Sequence, residues 1–597
     1  MHTLPAHPRL ILRDDRIPPL LAASRGDADL GDLIALVRRR ANALLGVPPL
    51  TRVVVGTGMK RMLETSRQAL ARILALAMAY RLEADARWRD RAIAELDAVC
   101  AFVDWHPAHF LDTGEMMTAV AIGYDWLWRD LDEVRRATIR AALIEKGIRP
   151  ALDAPQWWRT SANNWNQVCY AGLACAALAL AEDEPALADQ VIALCRDGWP
   201  LGLEPYAPAG VYPEGPMYWE YGTTFTAVMA SAVATALDED WRISAKPGFL
   251  ASFAFVTHAY GPTGLSTMFA DAWPHPRMAL AHLWASGACA LPHLAAPAWD
   301  DIAAWAAASD VDADPRSLAH RLLPLGIAWY APRSPAAPPL DWVGDGGSAV
   351  HVAMFRSAWH DRDAAFASLK GGALQVNHGH LDAGAFIVEL GGVRWAHDLG
   401  VESAVYDRTD SWSTLQESPR WRFFRMRNHG HNTLTIGDAL QRVAGSSPII
   451  RHAGDADGAR AVIDLGDAYA SQARAVRRGL ALVDGRRQVL VQDEIEDATA
   501  AIRWTMVTRA TVAIADARTA VLTQDGRRVV ATIASGPATA RFAVASAAPG
   551  HADEMPNEGF SRLLIDIPAP ARGIVRLTVA FSLGSARPVQ VSALASW

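Results

Sequence analysis

The period of the hydrophobic residues changes once along this chain, and that change limits what it can fold into. From about Leu30 to Leu323 the apolar residues, mostly Ala and Leu, recur at helical spacing, as in RQALARILALAMAYRLEADARWRDRAIAELDAVCAFV and EMMTAVAIGYDWLWRDLDEVRRATIRAALIEKG. A stretch rich in Pro and Gly follows, APRSPAAPPLDWVGDGGS at 331–348, and reads as a linker. Beyond it the period drops to two. AVHVAMFRSAW, AAFASLKGG, GAFIVELGGVRWAHD, RQVLVQDEIE, RRVVATIA and GIVRLTVAFSL are strand-like runs, and Asp484-Gly485 and Asp525-Gly526 stand where hairpin turns are expected. At 597 residues the chain is too long for one ordinary core. The expectation is a helical domain over 1–330, a linker over 331–348 and an antiparallel β-sandwich over 349–597. Successive helical pairs suit a bundle or a toroid, and no repeat motif decides between them.

The hydrophobic fraction of 51% is spread along the chain, with no apolar run of membrane-spanning length, so no membrane partner is expected. The N-terminal MHTLPAHPRLILRDDRIPPLL carries prolines and charges where a signal peptide needs a continuous apolar stretch. This predicts a cytoplasmic protein, or a periplasmic one if the chain is a trimmed mature form. Five cysteines, all before residue 290 and without metal-site spacing, read as reduced core residues. A net charge of −7 argues against a nucleic-acid surface. Most of the 22 tryptophans are expected in the core, although indoles also make good surfaces for sugar rings.

The chemistry-bearing residues gather just after the change of period. At 376 the chain reads VNHGHLDAGAFIVELGGVRWAHDLG. In a strand, residues i and i+2 share a face, so His378 and His380 are expected to project together, with Asp382 following if the strand persists. Asp398 closes the run, and RMRNHGHNTLTIG brings His429 and His431, again two apart. Imidazoles and a carboxylate from separate strands suit a tetrahedral zinc site with one position open; an isolated pair is as well suited to hydrogen bonding within a sheet. Arg422, Arg425 and Arg427 form a basic run that reads as a solvated surface or as a subsite for carboxylates or sulfates.

NHGHLDAGAFIVELGGVRWAHDLG followed by HNTLTIG resembles the metal-binding and catalytic segment of the heparinase II/III-like polysaccharide lyases. Upstream, SANNWNQV and GVYPEGPMYWEYG resemble that family's two helical-domain motifs. The resemblance implies an N-terminal (α/α) toroid of helical hairpins joined to a C-terminal antiparallel β-sandwich. It also implies β-elimination on a uronic-acid polysaccharide or oligosaccharide, such as heparin, heparan sulfate, another glycosaminoglycan or alginate. One divalent ion, zinc by donor type and mainly structural, would be held by His380, Asp398 and His431, with His429 as a substitute ligand. His378 would be the base or its helper, since an imidazole titrates near neutrality.

Elimination removes the C5 proton α to the carboxylate and then breaks the C4–O bond. The carboxylate must therefore be neutralised, a base must take the proton and an acid must protonate the leaving oxygen. By resemblance Asn164, with Asn163 second, would hold the carboxylate through amide donors; the plainer reading is a helix cap. Motif position favours Tyr218 as the acid, with Tyr212 and Tyr221 as alternatives, and packing as the plainer reading. Glu214 would orient Tyr218 or touch sugar hydroxyls. Trp219, Trp157 and Trp158 are candidates for stacking on pyranose rings, and Asp271 and His275 in FADAWPHP for lining the cleft.

Two other functions compete. A glycoside hydrolase on a helical toroid would use Glu214 and Asp271 as acid and base, which leaves the His/Asp cluster without a task. A non-catalytic protein that binds acidic carbohydrate would need neither tyrosine nor base. In each case the expected partner is an acidic polysaccharide or oligosaccharide, alone or with further copies of the chain.

Overall fold

A computed structural model describes residues 4–56, 58–274, 277, 280–307 and 321–597. The chain forms two compact units, neither continuous in sequence. One holds Met1–Glu204, Tyr218–Phe249 and Met278–Ala336; the other holds Pro205–Met217, Leu250–Arg277 and Ala337–Trp597.

The first unit is built of helical hairpins in two layers. Helix Phe110–Leu127 is buried along its whole length, and Asn164–Leu180 at every residue except Trp165. Glu133–Ala142, between them in sequence, buries only Ile139 and Ala142, and Pro185–Gly198, which follows them, buries only Ala188, Val191 and Cys195. Alternation of fully buried with one-faced helices is what an (α/α) toroid requires, because each hairpin sends one helix inward and one outward. The inner helices approach closely. A Cβ at Gly172 would lie 2.4 Å from the Gly114 carbonyl oxygen, so this crossing tolerates glycine alone. Helix starts are set by side chains that accept from the backbone, with Asp27, Asp85, Asp132 and Asn163 at the caps.

The second unit is an antiparallel β-sandwich of three sheets. One runs in chain order through Asp341–Gly344, Val350–Arg356, Phe366–Ala373, Phe386–Leu390 and Val393–Ala396, with Ser446–Ser447 paired to Phe366–Ala373. A second has eight strands, with Ile574–Leu583 between Arg527–Ser535 and Gln488–Glu496. The third pairs Leu434–Ile436 with Ile502–Thr508. One residue from each sheet meets at the core, where Phe386 stacks on Trp504 at 5.6 Å and lies 6.4 Å from Phe581. At Asp525-Gly526 both residues are left-handed, with φ of 50° and 71°, as a two-residue hairpin turn demands.

The stretch read as a linker contains the first strand, Asp341–Gly344, which is too short between its prolines and glycines for alternation to register. Trp342 packs on Phe255, 5.8 Å between ring centroids, and Arg356 Nη2 donates to the carbonyls of His258 and Tyr260. These contacts bind the segment 250–277 into the β unit. All five cysteines are unpaired, four of them buried. Among the described residues no helix is long and apolar enough to cross a membrane.

Candidate active site

His378 and His380 lie in the loop between strands Phe366–Ala373 and Phe386–Leu390, not in a strand. Two features divert the chain. His378 is left-handed, at φ 58°, and a Cβ at Gly379 would stand 2.5 Å from the Leu374 carbonyl oxygen. The resulting turn brings both imidazoles onto one carboxylate: His378 Nδ1 is 2.7 Å from Asp271 Oδ2, and His380 Nε2 is 2.9 Å from Asp271 Oδ1. Because a carboxylate only accepts, the Nδ1 of His378 carries a proton. Burial alone would raise the Asp271 carboxyl, but Arg420 and the hydrogen bonds from His378 and His380 outweigh it and hold Asp271 well below the usual carboxylate range. Arg420 is itself fixed, donating to the Gly379 carbonyl at 3.2 and 3.3 Å.

Around His378 stand further groups. Tyr406 Oη donates to Asp271 Oδ2 at 2.9 Å and lies 3.3 Å from His378 Nδ1. Trp412 sets its ring edgewise to both, 5.9 Å from His378 and 5.0 Å from Tyr406. Glu214 Oε2 is 3.7 Å from His378 Nε2, and Tyr212 Oη is 3.3 Å from Glu214 Oε1.

His431 follows a turn of 3-10 helix, Asn428–Gly430, where a Cβ at Gly430 would meet the Phe424 carbonyl at 2.2 Å. Its Nδ1 is 2.8 Å from Asp398 Oδ2. Burial opposes protonation of His431, yet Asp398 raises it above the ordinary imidazole value. His380 is lowered by burial, against the pull of Asp271. The two rings are 5.3 Å apart, and His380 Nδ1 and His431 Nε2 are buried without a hydrogen-bond partner. Among the described residues no three His, Cys, Asp or Glu side chains are grouped as a metal set. His429 turns instead to Asp438, at 2.9 Å. Asp382 pairs with Lys370, both buried. The basic run is divided: Arg425 is internal, donating to the carbonyls of Leu399 and Val401, while Arg422 pairs with the exposed Asp553.

The remaining candidates belong to the helical unit. Asn163 caps helix Asn164–Leu180, its side-chain oxygen accepting from Trp165 N at 3.1 Å; Asn164 is the first residue of that helix and is buried. Tyr218, Trp219 and Tyr221 lie on helix Gly215–Leu237. This helix packs on Asn164–Leu180 through Gly222, where a Cβ would meet the Gln167 side chain at 2.0 Å. Tyr218 is half-buried, one turn before Gly222. Trp219 is enclosed beside His282, and Trp158 is also core. Tyr221 donates to Glu115 Oε1 at 2.7 Å, and burial together with Glu115 raises its hydroxyl well above the ordinary phenol. His275 lies outside the described residues.

Residues 337–562, which contain both histidine pairs, match the sequence family described as heparinase II/III-like, C-terminal. This stretch is similar to the heparinase II/III-like C-terminal domain. No curated protein matches the chain. Among solved structures, a mutant of heparan sulfate lyase HepC from Pedobacter heparinus is similar over 98% of this chain and 93% of its own, at 13% identity and a TM-score of 0.59. Heparinase III follows over 86% and 76%, at 14% and 0.54. Chondroitin AC lyase from Streptomyces coelicolor A3, in complex with chondroitin sulphate, is similar over 93% and 80%, at 14% and 0.50. At such identities the likeness is one of fold, a helical toroid with an antiparallel β-sandwich.

Within 337–562, Tyr406, Trp412 and Arg420 carry no motif that points to them. Asp271 stands 107 positions before His378 in an aperiodic loop. The reading of FADAWPHP as cleft lining drew attention to it but did not identify its partners.

Proposed function

We propose that this chain is a polysaccharide lyase that cleaves a uronic-acid-containing polysaccharide or oligosaccharide by β-elimination. The observation that carries the reading is His378, an imidazole in a stretch that matches the heparinase II/III-like family, whose Nδ1–H is anchored on a buried, ionised Asp271 and whose Nε2 faces Glu214 at 3.7 Å. With Nδ1 held by Asp271, Nε2 would be the atom that takes the C5 proton. Asn164 would donate its amide N–H groups to the substrate carboxylate, whose charge grows as the proton leaves, and Tyr218 would protonate the departing O4. Tyr221 is committed to Glu115 and is the poorer choice.

The same geometry weakens the hydrolase reading. Asp271 accepts from His378, His380 and Tyr406 at once, so it is not available to activate water or protonate a leaving group. The ion implied by the family likeness would be held by His380 and His431, whose open ring nitrogens fit it, with Asp398 exchanging its bond to His431 for the ion. It would brace the loops of the β unit, and proton transfer rests on the side chains alone.

The test is incubation with heparan sulfate, chondroitin sulfate and alginate. A lyase yields ultraviolet-absorbing unsaturated uronates, a hydrolase new reducing ends without that absorbance, and a binding protein neither. In the lyase case Asn164→Ala should lower kcat by roughly 10²–10³, the scale of a lost oxyanion donor, with a smaller effect on KM. Tyr218→Phe should be at least as damaging. Normal turnover in both would remove them from the mechanism.

A further inference from the structure

The helical unit holds a second pair of histidines on one carboxylate. Asp112, fully buried in the first turn of helix Phe110–Leu127, takes His109 Nδ1 on Oδ1 at 2.7 Å and His106 Nδ1 on Oδ2 at 2.8 Å, while Oδ2 also accepts Met62 N at 2.6 Å. Holding the backbone at Met62 needs only one of these bonds. His106 itself is left-handed, at φ 56°. The ring of His109 stands edgewise to Trp165 at 4.7 Å, and Trp165 lies 4.7 Å from Trp157 at an interplanar angle of 49°. Trp157 is 56% exposed, an unusual state for the largest apolar side chain. Trp165 is held from below by Asn163 and directly follows Asn164.

We propose that Trp157 and Trp165, with the Asp112-anchored imidazoles, form a binding site for the pyranose ring next to the one whose carboxylate Asn164 receives. The adjacency to the cleaved sugar rests on the lyase reading; the sugar site does not. An indole offers a flat apolar face to the C–H side of a pyranose, and the enclosed polar edge beside it orients the ring. Asp112 accepts both Nδ1 protons and so fixes the two rings, leaving their Nε2 atoms to meet sugar hydroxyls. The site therefore reads ring shape and hydroxyls.

Hexasaccharides of heparan sulfate, chondroitin sulfate and alginate are titrated calorimetrically into the full-length protein and its Trp157→Ala and Trp157→Phe variants, and cleavage of each is followed in parallel. The hexasaccharide that the wild type binds should bind Trp157→Ala roughly three- to tenfold more weakly, the worth of one aromatic contact, with Trp157→Phe closer to wild type and Tm unchanged in both. Unchanged affinity in Trp157→Ala, a loss that comes with a lowered Tm, or no binding of any hexasaccharide by the wild type would overturn the site. Cleavage by a wild type whose affinity is indifferent to Trp157 leaves the lyase reading standing without it. Binding that depends on Trp157 without cleavage leaves the site standing and removes the lyase.

Discussion

His378 and His380 share the Asp271 carboxylate, yet their other nitrogens have different surroundings. His378 Nε2 lies 3.7 Å from Glu214, whereas His380 keeps a buried Nδ1 without a hydrogen-bond partner, its ring 5.3 Å from that of His431. Single substitutions should therefore separate chemistry from metal. His378→Ala is expected to lower turnover by roughly 10²–10⁴, the usual contribution of a positioned base, with metal content and Tm as in the wild type. His380→Ala is expected to lose the ion and with it part of the stability of the surrounding loops. Elemental analysis beside calorimetry reads both, and equal metal content in the two variants would sink the division. The pairing of two histidines was legible as spacing. Their common partner was not, because Asp271 is joined to them by folding across 107 positions with no pattern to mark it.

At the scale of elements, alternation in the sequence placed the strands well but misread the loop between two of them. HGH looks like a strand because its imidazoles are two apart. It folds as a turn because Gly379 passes too close to the Leu374 carbonyl for any side chain and His378 adopts a left-handed backbone. Gly379→Ala must push the loop away from a backbone atom that cannot give way easily. Turnover should fall by about a hundredfold, the effect of misplacing a reacting group by about 1 Å, while the far-ultraviolet circular dichroism stays that of the wild type. Wild-type turnover would mean that the loop is looser than this packing implies. In the helical half the spacing announced helices but not the layer each would occupy: Phe110–Leu127 is buried all round although it carries Asp112, Glu115 and Asp125. The crossing of Gly114 on Gly172 was not readable, since a glycine shows its purpose only when its neighbour is known.

At the scale of the molecule, the compact units do not follow the order of the chain. The β unit takes in 205–217 and 250–277, which supply Glu214, Asp271 and the packing partner of Trp342. A fragment of residues 337–597 would thus lack both the anchor of His378 and part of its own core. It is expected to show weak near-ultraviolet circular dichroism and to bind a hydrophobic dye, and addition of fragment 1–336 should restore native signals. A fragment that folds cooperatively and holds metal alone would contradict this. The sequence by itself determined the two kinds of structure, their order and the histidine pairs, because hydrophobic period and turn chemistry are local properties. Tertiary structure alone decided which carboxylate holds which imidazole, that Tyr406 joins them and that early segments complete the later unit. Such contacts depend on burial and approach between residues far apart in the chain, and no local pattern encodes them.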